Sequence, residues 1–239
     1  MNDGGAGSEA REGAPGFFGK VTTHGDFVAR RLPAGPQAMW DAWLQAALQG
    51  SREQLGRAWL ETYLTSPVWR FALAGGVLDD GAWAGVLMPS VDRVGRHFPL
   101  TVLAPIADGP ALPEWIAASK GWYDRIEAAA LASLDEGFSL EGFDAALLML
   151  APAIDGMTAA AGVHGAAGYR LPLGGLDDVT AALPQLLGAA LHGHSVWWTD
   201  GSDAVQPCAV LCRGLPAPVA FGAMLGAPAV SRGSAAAPP

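Results

Sequence analysis

Two short stretches concentrate the side chains with chemical potential. Met88-Pro-Ser-Val-Asp-Arg-Val-Gly-Arg-His-Phe-Pro-Leu100 places Asp92, Arg93, Arg96 and His97 between two apolar runs. Two arginines beside a glycine suit bidentate capture of a carboxylate or phosphate, and Asp92 with His97 has the makings of an acid–base pair. The plainer reading is a polar connection whose Asp and Arg satisfy one another or buried backbone. The second stretch, Lys20-Val-Thr-Thr-His-Gly-Asp-Phe-Val-Ala-Arg-Arg31, carries Lys20, His24, Asp26, Arg30 and Arg31. Gly19 and Gly25 are the small residues a tight loop uses there. Neither G-x-x-x-x-G-K-[ST] nor G-x-G-x-x-G is present, so this is no phosphate-binding loop. If the two stretches fold side by side, five lysines and arginines gather on one surface.

Other candidate chemistry is thinner. His192 and His194 share a face of an extended segment, a geometry zinc accepts. No nearby Cys, Asp or Glu completes a shell, and His164 sits in a Gly/Ala-rich stretch. Cys208 and Cys212 share a strand face but lie too far apart along it to bridge, and read as two small buried hydrophobes. Ser90 lies near Asp92 and His97 in sequence, yet a triad is defined by geometry, and the G-x-S-x-G elbow is absent. No metal, no cofactor and no catalytic set are therefore expected. The nine tryptophans fall mostly at apolar positions and read as core. Trp197 and Trp198 are adjacent on a strand, so one faces inward and the other is a candidate for partial exposure.

Composition narrows the classes of function. The 239 residues are 51% hydrophobic and 15% charged, with 23 acids against 14 bases and a formal net charge of −9. Such a chain can bury a substantial core and is too apolar and aromatic for a disordered protein. Without a basic surplus it is a poor binder of the nucleic-acid backbone. Residues 1–110 hold 11 acids and 9 bases, while 111–239 hold 12 and 5. The acidity belongs to the second half, and the first half is nearly balanced. The N-terminus has no basic or apolar leader segment, no apolar run reaches membrane-spanning length, and two Cys make no disulfide framework. Cytoplasm is the expected compartment.

The elements that must position these residues follow from periodicity. Residues 1–14 and 226–239 read as tails flanking one domain over 15–225. A first strand is expected at Gly16–Val21. A helix over Pro36–Leu48 is expected to stop at Gly50, and Ser51 with Gln54 resembles a capping box opening a second helix to Leu64. Strands are expected at Val68–Ala74, Trp83–Val91 and Phe98–Ala104, the first two antiparallel. Helices are expected at Pro113–Leu134, Leu140–Leu150 and Asp177–Leu191, and late strands at Ser195–Thr199, Cys208–Arg213 and Val219–Met224. Helices before, between and after apolar strands predict a single mixed α/β domain, its central sheet covered by helices on both faces.

Several blocks in order resemble a known family. Gly16-Phe-Phe-Gly-Lys20, His24-Gly-Asp-Phe-Val-Ala-Arg-Arg-Leu-Pro33, Trp40-Asp-Ala-Trp-Leu44, the run from Trp59 to Leu73, that from Trp83 to Leu100, and Ser195-Val-Trp-Trp-Thr199 are similar to the type VI secretion-associated TagF (ImpM) proteins. The resemblance is strong over 16–105 and thin over 110–190. It implies an α/β/α layered domain and a cytoplasmic accessory protein of the bacterial type VI secretion system. It further implies a post-translational repressor of assembly whose partner is a forkhead-associated scaffold protein. No catalytic residues come with the family. Lys20, His24, Asp26, Arg30, Arg31, Asp92, Arg93, Arg96 and His97 are thus the expected partner-binding surface. The competing expectation is an enzyme or small-anion sensor built on Asp92, Arg93, Arg96 and His97.

Overall fold

The computed structural model describes residues 13–106, 112–152, 163–165, 168–170 and 179–227. Both expected tails fall almost wholly outside these residues, as does the side chain of His164. Strand β1 (Gly16–Gly19) turns into β2 (Val28–Arg30), followed by α1 (Ala34–Leu55), a 3-10 turn (Gly56–Ala58) and α2 (Trp59–Leu64). Then come β3 (Trp69–Leu73), β4 (Ala82–Met88), β5 (Leu100–Ile106), α3 (Leu112–Ala118), α4 (Lys120–Leu131) with a 3-10 extension (Ala132–Leu134), and α5 (Leu140–Leu148). A short hairpin of β6 (Val163–Gly165) and β7 (Gly168–Arg170) precedes α6 (Val179–Ala190), β8 (His194–Thr199), β9 (Cys208–Arg213) and α7 (Pro218–Leu225).

Seven strands form one sheet in the order β2-β1-β5-β4-β3-β8-β9. Every neighbouring pair is antiparallel. The mixed domain with a central sheet is present, and its sheet has no parallel pair. Side chains alternate along the strands between two hydrophobic clusters, as a pleated backbone requires. Trp83 and Leu87 of β4 join Trp40, Trp43 and Leu44 of α1 and Phe221 of α7. Ala84, Val86 and Met88 join Trp115 of α3, Tyr123 and Ile126 of α4 and Phe143 of α5. Gly85, between those sets, is required by close approach: a Cβ there would meet the Val102 carbonyl at 2.2 Å and the Phe71 ring at 2.6 Å.

The tryptophans are core, as their spacing predicts. Trp197 is fully buried while its neighbour Trp198 is half-buried. Buried indoles also cross-link elements through their N–H groups, which need acceptors away from water. Trp40 donates to Thr101 Oγ1, Trp43 to the Pro216 carbonyl and Trp69 to the Met224 carbonyl.

Three expectations about elements are corrected, the first being the single helix over 113–134, which is broken at Ser119 into α3 and α4. The helix over 36–48 does not stop at Gly50; α1 runs 22 residues to Leu55. Gly50 instead packs against α7, where an added Cβ would make a tight 3.3 Å contact with the Pro218 carbonyl. Ser51 caps nothing: its hydroxyl donates back to the Leu48 carbonyl and accepts from the Trp59 indole. The break falls instead at Gly56, whose φ is 52°. The strand expected over Val219–Met224 is helix α7. Pro218 sits in its first turn, where the missing N–H costs nothing, and Gly226 closes it at φ 117°. Phe221, Met224 and Leu225 are spaced to bury one helical face.

Candidate loop interface

The sheet itself brings the two polar stretches together. β1 pairs with β5 so that Phe18 opposes Thr101. The chain leaving β1 at Lys20 therefore runs beside the chain entering β5, which carries Asp92 to His97. Gly19 makes this approach possible, with φ 142° and a hypothetical Cβ only 2.1 Å from the Pro99 carbonyl.

Asp92 is the hub. Its Oδ2 accepts from Lys20 Nζ at 2.5 Å and Arg96 Nε at 2.7 Å, and its Oδ1 from the backbone N–H groups of Val94 and Arg96 at 3.0 and 2.9 Å. The backbone closes the same turn: Asp92 N–H donates to the Arg96 carbonyl and Gly95 N–H to the Asp92 carbonyl. Gly95 takes φ 86° to allow it. Burial would push the Asp92 carboxyl up, but donation from Lys20, Arg96 and Val94 outweighs it and holds the group well below the usual carboxylate range. The Lys20 ammonium is itself buried, and it lies 5.0 Å from the centroid of the Phe27 ring.

Further bonds join the loops. Arg93 N–H donates to the His24 carbonyl at 3.0 Å, and the Arg96 guanidinium donates to the Gly25 carbonyl. Ser90 Oγ donates to the Lys20 carbonyl at 2.7 Å. Tyr63 of α2 supports this frame from below, its hydroxyl donating to the Ser90 carbonyl and accepting from the Ser90 N–H, both at 2.9 Å. Burial raises the Tyr63 hydroxyl far above its ordinary pKa against the opposing Ser90 bond, so it stays a neutral donor.

Above the frame lies an exposed surface. Arg93, Val94, Arg96, Asp26 and Phe27 are exposed, and the Arg93 guanidinium has no carboxylate partner among the described residues. His24 is half-buried with its Nδ1 3.0 Å from Thr23 Oγ1. Phe27 stacks on Phe18 and meets Phe98 edge-on at 4.8 Å.

The remaining candidates lie elsewhere or act differently. Arg31 turns away: at φ 55° it donates through Nε to the Pro15 carbonyl at 3.0 Å and pairs with Asp144 of α5. Arg30 is exposed on β2, its guanidinium donating to the Ala29 carbonyl beside it. The gathering of five cations is thus reduced to Lys20, Arg93 and Arg96, two of them sharing the single negative charge of Asp92. His97 packs edge-on against Trp59 and Tyr63, with centroids at 6.0 and 5.8 Å, and none of the Asp92 carboxylate bonds goes to it. Tyr63 and Ser90 escaped sequence reasoning in these supporting roles, because partners at 27 positions' separation leave no local pattern.

No group of three or more His, Cys, Asp or Glu side chains among the described residues is placed to hold a metal ion. His194 Nδ1 lies 3.0 Å from the His192 carbonyl. Cys208 is exposed and Cys212 half-buried, burial pushing the Cys212 thiol up. No helix of the described residues is long and apolar enough to cross a membrane.

This seven-stranded antiparallel sheet, with two of its loops locked by a buried ion network, is the frame on which the chain compares with known proteins. The TagF N-terminal domain, type VI secretion system-associated, matches residues 16–150. The crystal structure of PA0076 from Pseudomonas aeruginosa PAO1 is 38% identical and superposes with a TM-score of 0.80, covering 89% of this chain and 94% of that one. No curated protein matches the chain. The chain belongs to the TagF family and is type VI secretion-associated.

Proposed function

We propose that this chain is a non-enzymatic, cytoplasmic accessory protein that represses assembly of the type VI secretion system after translation. It does so by binding a partner such as a forkhead-associated scaffold protein through the surface formed by the 20–31 and 92–97 loops. The observation that carries the reading is the union of these loops, distant in sequence, into one fixed surface by the Lys20–Asp92–Arg96 network and the Arg93-to-His24 bond. A preformed surface binds without paying to order its loops. Family membership supplies the secretion context. In the same reading the domain is a three-layer α/β/α arrangement, supported by the alternation of strand side chains between two helix-containing clusters.

The alternative, an enzyme or anion sensor using Asp92, Arg93, Arg96 and His97, is the weaker reading. Asp92 spends both oxygens on four internal donors, and a carboxylate so occupied is a poor proton acceptor. Capture of type VI components from a bacterium carrying the system tests the proposal. Arg93→Glu is expected to cut capture and relieve repression while leaving the melting temperature unchanged. Capture and repression both surviving that change, alone and combined with Asp26→Arg, would sink the proposed surface.

A further inference from the structure

Next to the 20–31 loop, which reaches this side through Thr22 Oγ1 donating to the Ser133 carbonyl and Arg31 pairing with Asp144, α4 and α5 part to leave an open groove of about 400 Å³. That volume lies in the range of sites that take an apolar anchor. Ala129 and Ala132 form one wall, and Phe138, Phe143 and Ala146 the other. The gap persists because alanines and Gly142 stand where larger residues would meet. Its Ser139 hydroxyl is already engaged, accepting from Gly142 N–H at 3.1 Å and lying 3.3 Å from Glu141 Oε2. The N-terminus of α5 is thus capped from within.

The rim carries one sign of charge. No Lys or Arg occurs from Ile126 to Tyr169. Glu127 and Asp144 are paired with Arg70 and Arg31. Asp135, which lines the groove, and its exposed neighbours Glu136 and Glu141 make no ion pair among the described residues. Arg125, exposed one turn before Ala129, is the nearest base along α4.

We propose that this groove docks an amphipathic helical segment of a partner protein, an apolar anchor seating between α4 and α5 while Lys or Arg side chains meet Asp135, Glu136 and Glu141. Helices dock in apolar grooves through anchors spaced three and four residues apart, and complementary charge sets partner choice and encounter rate. The acidic rim repels nucleic acid, phosphopeptides and anionic lipid. The chain's own first 12 residues also have the wrong sign, with three acids and one arginine.

The test is titration of the full chain with a labelled amphipathic peptide of two Leu-Lys-Lys-Leu-Leu-Lys-Leu repeats, followed by anisotropy in about 150 mM salt. Its counterpart has Glu in place of Lys. The Lys peptide is expected to bind saturably and the Glu peptide not at all. Ala146→Trp and Ala132→Trp fill the groove at exposed positions, and each is expected to weaken binding at least about tenfold, as is the Asp135→Lys/Glu136→Lys double change. Absence of saturable binding overturns the proposal, as does binding that survives groove filling, which would be unspecific attraction to an acidic surface. Amide shifts of the unaltered chain give a readout independent of any variant. Perturbation centred on residues 129–146 supports the site, and perturbation centred elsewhere refutes it.

Discussion

Asp92 shows how one buried carboxylate can fix the shape of a turn. Four donors surround its carboxylate and hold its pKa down. Since the folded value lies below the unfolded one of about 3.9, ionised Asp92 stabilises the fold above that pH, and the contribution is lost as pH falls through the folded value. Urea melts across a pH series should therefore show stability falling steeply below about pH 4, and Asp92→Asn should flatten that acid limb. An unchanged limb would mean that other carboxylates carry the acid sensitivity. Tyr63 makes a second, separable test. Tyr63→Phe removes both bonds to Ser90 and leaves the buried Ser90 N–H unpaired, while the Ser90 carbonyl keeps the Phe98 N–H; the change should cost about 1–3 kcal/mol in denaturant unfolding. Rotation of the 90–98 loop toward solvent, seen as early amide exchange there, should accompany the loss.

At the scale of elements, α1 and α7 mark where sequence reading reaches its limit. Strands β3, β4, β5 and β8 are legible because runs of Val, Leu, Ala and Trp alternate between the two clusters, and β9 by its apolar run alone, since only Val210 and Cys212 pack against a cluster and Leu211 is exposed. Gly50, Ser51 and Gln54 imitate a helix boundary, yet the helix continues, with Gly50 lying close against the Pro218 carbonyl of α7. That contact is made with a residue 168 positions away, so no local window records it. The same holds for the loop surface: its charged residues were visible in sequence, but their meeting depends on β1 pairing beside β5. Arg31 was misgrouped because its partner, Asp144, lies on a distant helix. Ser51→Ala tests the corrected role of that residue. By leaving the Trp59 indole N–H without its acceptor, it should destabilise by about 1–3 kcal/mol while far-ultraviolet dichroism stays that of an intact helix. Loss of a full helical segment would instead restore the two-helix expectation.

For the whole molecule, the aromatic cluster binds the sheet to α1 and α7. Trp197 meets Trp40, Trp43 and Phe71 with centroids at 6.0, 5.5 and 4.9 Å. Trp197→Ala should cost about 3–5 kcal/mol, measured as a shift in one cooperative urea transition. Two separated transitions would show that the two clusters unfold independently. Charge is distributed over this frame by half: the loop surface belongs to the nearly neutral first half, and the groove between α4 and α5 to the acidic second. The hub at Asp92 adds a consequence for how such proteins diverge. Lys20, Asp92 and the backbone of 94–96 hold the turn's shape, whereas the side chains of Arg93 and Val94 point outward with no duty inside. Those two positions are free to be rewritten, by drift or by an engineer, and a new binding preference could arise there without refolding the chain.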